Sequence, residues 1–174
     1  MLNKKIEKLT VSILEELQIT KLPIPIEDIC HRRGLKIKAY DLGENISGVL
    51  VIDGGVGTIG YNPCDPQVRQ RFTIAHELGH YELHRKNNEL FIDKSFKVLY
   101  RDANSSSGEI KKELEANAFA AAILMPERFL VREIEEHHFD FADEVSLRQL
   151  AKLFNVSAAA MSFRIANLGL YSRM

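Results

Sequence analysis

A chain of 174 residues is long enough for one domain with its own core, without disulfide or metal staples. Its composition is that of an ordinary globular protein, 45% hydrophobic and 27% charged, and a net charge of −1 leaves no global electrostatic footprint for nucleic acid or an anionic membrane. The longest apolar run, 118–125, is too short to cross a bilayer, and the charged opening segment lacks a secretory apolar core, so a cytoplasmic protein is expected.

In chain order, Ile6, Leu9, Ile13, Leu14 and Leu17 recur at helical spacing, which predicts an amphipathic helix over 3–18. Pro23 and Pro25 break the chain, and 26–33 reads as a short helix ending at Gly34. Three strands are expected at 35–40, 47–52 and 57–61, the last two joined by the hairpin signal Asp53-Gly54-Gly55. Cys30 and Cys64 make a poor disulfide framework and read as free thiols, with Cys64 a plain buried thiol in preference to a redox mask. A helix follows over 66–84, with Pro66 in its first turn.

That helix carries the most informative stretch, His76-Glu77-Leu78-Gly79-His80. Two histidines four residues apart lie about 40° apart around a helix, one turn above each other, so both imidazoles can reach one metal ion. Glu77 is then placed to take a proton from water that zinc has acidified, as that water attacks a peptide carbonyl. Phe72, Ile74, Ala75, Leu78 and Leu83 give the helix its apolar stripe. Glycine in a helix interior costs about 1 kcal/mol against alanine, so Gly79 suggests another backbone or a ligand in close approach. His31 and His84 read as ordinary surface or satisfied core histidines.

A polar stretch spans 85–108, with a mixed segment at 90–100 that reads as a strand or a lid and a Ser-Ser-Ser-Gly loop signature at 105–108. Helices are expected over 109–124, stopped by Met125-Pro126, and over 127–137. The tail, 146–168, reads as two short amphipathic helices separated near Asn155-Val156-Ser157.

A catalytic zinc usually takes three protein ligands, so a third must come from elsewhere. The helix at 109–124 is the best source. Glu113 and Asn117 share one of its faces, so Glu113 can bind the metal while Asn117 orients a ligand histidine. Glu115 and Glu109 are the alternatives; Glu115 lies about 200° round the helix from Glu113, so the two cannot serve one ion.

Phe72-Thr-Ile-Ala-His-Glu-Leu-Gly-His80 followed by Glu113-Leu-Glu-Ala-Asn-Ala-Phe-Ala-Ala-Ala-Ile-Leu-Met-Pro126 resembles the ImmA/IrrE family of metallo-endopeptidases, from about residue 25 to the C-terminus. Arg101-Asp102 and the serine-glycine loop look like its linking segment. The resemblance implies His76, His80 and Glu113 as Zn²⁺ ligands and Glu77 as the catalytic acid/base. It implies an α+β, zincin-like fold in which a small twisted sheet, mixed or antiparallel, packs on the motif helix. One metallopeptidase domain is expected over 1–174, with the sheet and metal-site helices in 1–125 and a helical C-terminal part in 126–174. The resemblance further implies a protein substrate, such as a helix-turn-helix repressor of a mobile element or stress-response operon. Family members often carry a DNA-binding or sensor domain; neither fits here, so regulation is expected from a separate protein or a small effector.

The expected substrate pose is extended, beside an exposed strand at 57–61. Tyr61, Tyr81, His84 and Arg101 are candidate oxyanion donors. Two other classes compete. The segment 146–170 resembles a helix-turn-helix, and 146–174 holds Arg148, Lys152, Arg164 and Arg173 with no acid. A DNA reader needs Arg, Lys, Asn or Gln at the start of its second helix, where this chain has Ala158, Ala159 and Ala160, so nucleic acid is an unlikely partner. An inactive fold that binds protein through an old cleft would not need the complete His-Glu-His set.

Overall fold

The opening amphipathic pattern folds as α1 (Leu2–Glu16), which buries Ile6, Ile13 and Leu14 and leaves Lys4, Lys5 and Glu15 in solvent. The computed structural model describes residues 2–43, 46–85, 90–94, 107–137 and 143–172, with backbone alone at 2, 3, 90–94 and 172. The short helix α2 (Ile26–Arg32) buries Ile26, Ile29 and Cys30, and Gly34 at φ +80° turns the chain into β1 (Lys36–Ala39). Strands β2 (Ile46–Asp53) and β3 (Val56–Tyr61) form the expected hairpin. Gly54 and Gly55 both take positive φ, 54° and 83°, as a two-residue turn between right-twisted strands demands.

The motif helix α3 (Gln67–His84) follows, then β4 (Leu90–Lys94) and α4 (Ser107–Leu124). Ser107 and Gly108, expected in a loop, belong to the first turn of α4, which therefore starts earlier than its apolar pattern suggests. Of the mixed segment at 90–100, the first part is strand β4; residues 95–100, together with Arg101-Asp102, lie outside the described residues. Pro126 ends α4 and its carbonyl accepts from Phe129 and Leu130 as α5 (Glu127–His137) begins. Helices α6 (Glu144–Phe154) and α7 (Ala158–Leu168) and a 3₁₀ turn (Leu170–Ser172) complete the fold.

The four strands are ordered β1-β3-β2-β4, with β1 parallel to β3 and the other pairs antiparallel. This overturns one expectation: strand 57–61 is not an exposed edge. Both sides of β3 are hydrogen-bonded, because the chain turns back from β2 and lays β3 between β2 and β1. Among the described residues, the sheet ends at β1 and β4. Leu50 and Ile59 pair across the hairpin, both fully buried, on the face that covers α3.

Two arginines fasten the C-terminal helices to the rest. Arg71 of α3 donates to the carbonyls of Ile24 (2.8 Å) and Asn155 (3.2 Å), so it joins the chain before α2 to the turn after α6. Arg164 of α7 is 5% exposed; it donates to the Met125 carbonyl at 2.9 Å and grips the Glu7 carboxylate of α1 with both terminal nitrogens. One hydrophobic cluster runs from Ile6 to Leu170. Cys30 sits within it, and burial pushes its thiol pKa far up. Cys64 is exposed, contrary to the buried thiol expected, because it lies in the turn before α3.

Candidate metal centre

Helices α3 and α4 pack against each other: His76 meets Glu113 and Asn117 of α4, and His84, two turns further along α3, meets Glu115. Gly79 makes this approach possible. A Cβ there would stand 3.1 Å from the Phe119 side chain and 3.2 Å from the Ala116 Cα, so the close approach suggested by the sequence is that of a neighbouring helix backbone.

The crossing gathers three donors. His76 Nε2 and His80 Nε2 are 3.0 Å apart, and the Glu113 carboxylate is 3.1 Å from the first and 3.2 Å from the second. A tetrahedral zinc with bonds of about 2.0–2.1 Å spaces its ligand atoms by roughly 3.3 Å, so these residues fit one such ion. Protonation agrees. Asn117 Oδ1 accepts from His76 Nδ1 at 3.1 Å, which leaves the lone pair on Nε2. Burial holds the His80 pKa below its ordinary value, against the pull of Glu113. Burial raises the Glu113 pKa, but hydrogen bonds from His76 and His80 outweigh it and bring it down to about 2. The set is therefore two imidazoles, of which burial holds His80 towards neutrality, and one carboxylate, the donor types that bind a cation.

Glu77 is fully buried, and the backbone of β2 lies against its carboxylate. A Cβ on Gly48 would come within 2.9 Å of Glu77 Oε1 and would collide with Thr73, so only glycine fits. Sequence reasoning missed this device, although a glycine inside a strand pattern is the signal for it. Next to it, β2 pairs Ile46 with Lys94 and Gly48 with Asp93, which leaves Ser47 as the extra residue of a bulge. Arg69 of α3 donates to the Ser47 hydroxyl at 2.6 Å and so holds the bulge down.

The remaining sequence candidates separate. Glu115 pairs with His84 (3.4 Å) and Lys111, away from the donor triangle, and His84 is buried at that contact. Glu109 is exposed at the start of α4. Tyr81 packs beneath Gly57, with Arg85 over its ring at 4.6 Å. Tyr61 is directly opposite Gly48 in the β2–β3 register, on the sheet face that meets α3. Arg101 lies outside the described residues.

In the helix-turn-helix-like segment, Asn155 takes the left-handed conformation (φ 52°) and the Ser157 hydroxyl caps α7 through the Ala160 amide. Its basic side chains are largely committed: Arg148 pairs with Glu144 at 2.6 Å, and Arg164 points inward.

A sheet covering a helix that carries two histidines and a glutamate, with a third donor from a neighbouring helix, defines a zincin-like metallopeptidase domain of the α+β class. Residues 30–166 match the IrrE N-terminal-like domain, and the chain belongs to this ImmA/IrrE family of metallopeptidases. It is similar to the metallopeptidase ImmA of Bacillus subtilis (strain 168), with 26% identity over 147 residues, which cover 84% of this chain and 78% of ImmA. Among solved structures it shares its fold with a Mycobacterium tuberculosis transcriptional regulator, at a TM-score of 0.58 and 18% identity. That likeness covers 95% of this chain and 46% of the regulator, so the chain spans about half the length of that neighbour.

Proposed function

We propose that this protein is a zinc-dependent endopeptidase, with His76, His80 and Glu113 as the metal ligands and Glu77 as the general acid/base. The observation that carries the reading is the triangle of donors 3.0–3.2 Å on a side beside a fully buried carboxylate. The two-nitrogen, one-oxygen donor set suits zinc. When bound, that cation supplies a Lewis acid that acidifies water and polarises the scissile carbonyl. Asn117 keeps the His76 ring turned so that Nε2 faces the metal position. Glu77, held by α3 beneath Gly48, takes a proton at its carboxylate and returns it to the departing amine nitrogen. Tyr61, opposite Gly48, is the preferred donor to the oxyanion.

The substrate is a protein segment bound as an extended strand. Because β3 is interior, the edge that receives it is β4, beyond the bulged strand that covers Glu77. Family membership favours a cytoplasmic helix-turn-helix repressor, cut to release the genes that it silences. Duplex DNA binding has less support: Ala158–160 offers no base-reading group, and Arg164 is spent on Glu7.

The direct test incubates the protein with transcription regulators encoded beside it, with and without chelator. Chelator-sensitive fragments are expected, absent with Glu77→Gln, whose zinc content stays at the wild-type level. Fragments that persist with chelator, or a fully active Glu77→Gln variant, would overturn the mechanism.

A further inference from the structure

Away from the candidate metal centre, the 20–23 segment, α5 and α6 line an open cleft of about 880 Å³. None of its walls belongs to α3, α4 or the sheet, so it is not an extension of the peptidase site. Its volume lies within the usual range for small-molecule sites, which combine apolar surface with a few polar anchors. Leu22, Pro23 and Leu153 supply the apolar surface, and Lys21, Arg132 and Lys152 bring three cations to it. A single lining carboxylate, Glu133, opposes them.

The cations are poised differently. Arg132 lies over the Phe129 ring at 5.0 Å and binds Glu133 Oε1 through Nε (3.1 Å) and Nη2 (2.7 Å), which fixes the guanidinium without using Nη1. Lys21 and Lys152 are exposed and have no ion-pair partner among the described residues. They come from different elements of its lining, the 20–23 segment and α6. Glu133, Glu136 and His137 bring ligand atoms within 4.8 Å of one another at one side of the cleft, but Arg132 already supplies the counter-charge of Glu133, so a second cation is disfavoured there. The surplus positive charge suits an anion, and ammonium and guanidinium groups together suit phosphate.

We propose that this cleft binds a small phosphate ester of about mononucleotide size, its phosphate between Lys21, Arg132 and Lys152 and its body against Leu22, Pro23 and Leu153. The placement gives such a ligand a route to the peptidase. Pro23 of one wall precedes Ile24, and Leu153 of the other lies two residues before Asn155; Arg71 of the motif helix holds both Ile24 and Asn155 by their carbonyls. A ligand bridging the walls braces the two elements that this side chain ties to α3.

The test is calorimetry and thermal melting of the full chain with 5′-AMP, pyrophosphate and inorganic phosphate. Saturable binding of 5′-AMP, tighter than that of inorganic phosphate, is expected. It should weaken by about tenfold or more in Lys21→Ala/Lys152→Ala. Glu77→Gln should bind as the wild type does, so loss of the cleft and loss of the peptidase are read separately. Absence of saturable 5′-AMP binding at millimolar concentration would overturn the proposal, as would equal affinity in the double variant. Equal affinity for inorganic phosphate and 5′-AMP would remove the role of the apolar wall.

Discussion

Asn117 shows how much of the proposed metal centre would depend on a residue outside its ligand set. Its amide oxygen fixes which His76 nitrogen carries the proton, and replacing such a partner typically lowers metal affinity by about 10–100-fold. Asn117→Ala is expected to lose zinc to a competing chelator within that range, whereas Glu115→Ala, which disturbs the His84 and Lys111 pairs away from the triangle, should retain it. The reverse ranking would transfer the ligand role to Glu115. At this scale the sequence was most readable where chemistry is local. His76, Glu77 and His80 lie within one helical turn, so their spacing announced them. Glu113 led Glu115 and Glu109 on the face it shares with Asn117, but only the family resemblance made it the clear choice, because its partners lie on another helix. The bulge at Ser47 and the bare backbone at Gly48 were not legible, since each is defined by what packs against it from a distant element.

Among the elements, the α3–α4 crossing governs the site. Gly79 lets Ala116 and Phe119 approach to about 3 Å of the Cβ position, and a branched side chain there must push the helices apart. Gly79→Val is expected to cost about 1–3 kcal/mol in urea unfolding and to weaken zinc binding in the same variant. Unchanged zinc affinity would show that the triangle does not depend on this spacing. The sequence marked most helices and the β2–β3 hairpin because periodicity, capping and turn glycines are short-range signals. It misplaced β3 at an edge because parallel pairing with β1 is a long-range choice with no local mark. Likewise the first turn of α4, Ser107-Gly108, looks like a loop until the rest of the helix is docked.

For the molecule as a whole, acidity and the C-terminal clasp set stability. In the metal-free protein, burial lowers the His80 pKa below its ordinary 6.5, so the unfolded chain takes up this proton first as pH falls. Glu113 is raised by burial but brought down from 4.5 to about 2 by the histidines, so the unfolded chain again protonates first. Both effects give the native state fewer protons than the unfolded state, and stability falls on acidification. Urea midpoints of the chelated protein should decline first below about 6.5 and again from about 4.5 towards 2. A midpoint that rises between neutrality and pH ~5 would contradict this sign. Arg164→Ala strands the Met125 carbonyl and half-releases Glu7; because Glu7 is 28% exposed, the loss is discounted to about 2–3 kcal/mol, measurable by the same unfolding assay. A loss below about 0.5 kcal/mol would mean that α7 is held by its apolar face alone.

The meeting of α3 and α4 would also give the proposed ion a role in folding. A cation shared by His76, His80 and Glu113 would join α3 to α4, and because the unfolded chain lacks a preformed site, its binding free energy would add to folding stability. Zinc scarcity would therefore loosen the architecture as well as silence the chemistry. In the apo form, amide exchange should accelerate in the first turns of α4 before it does in α1 or α7.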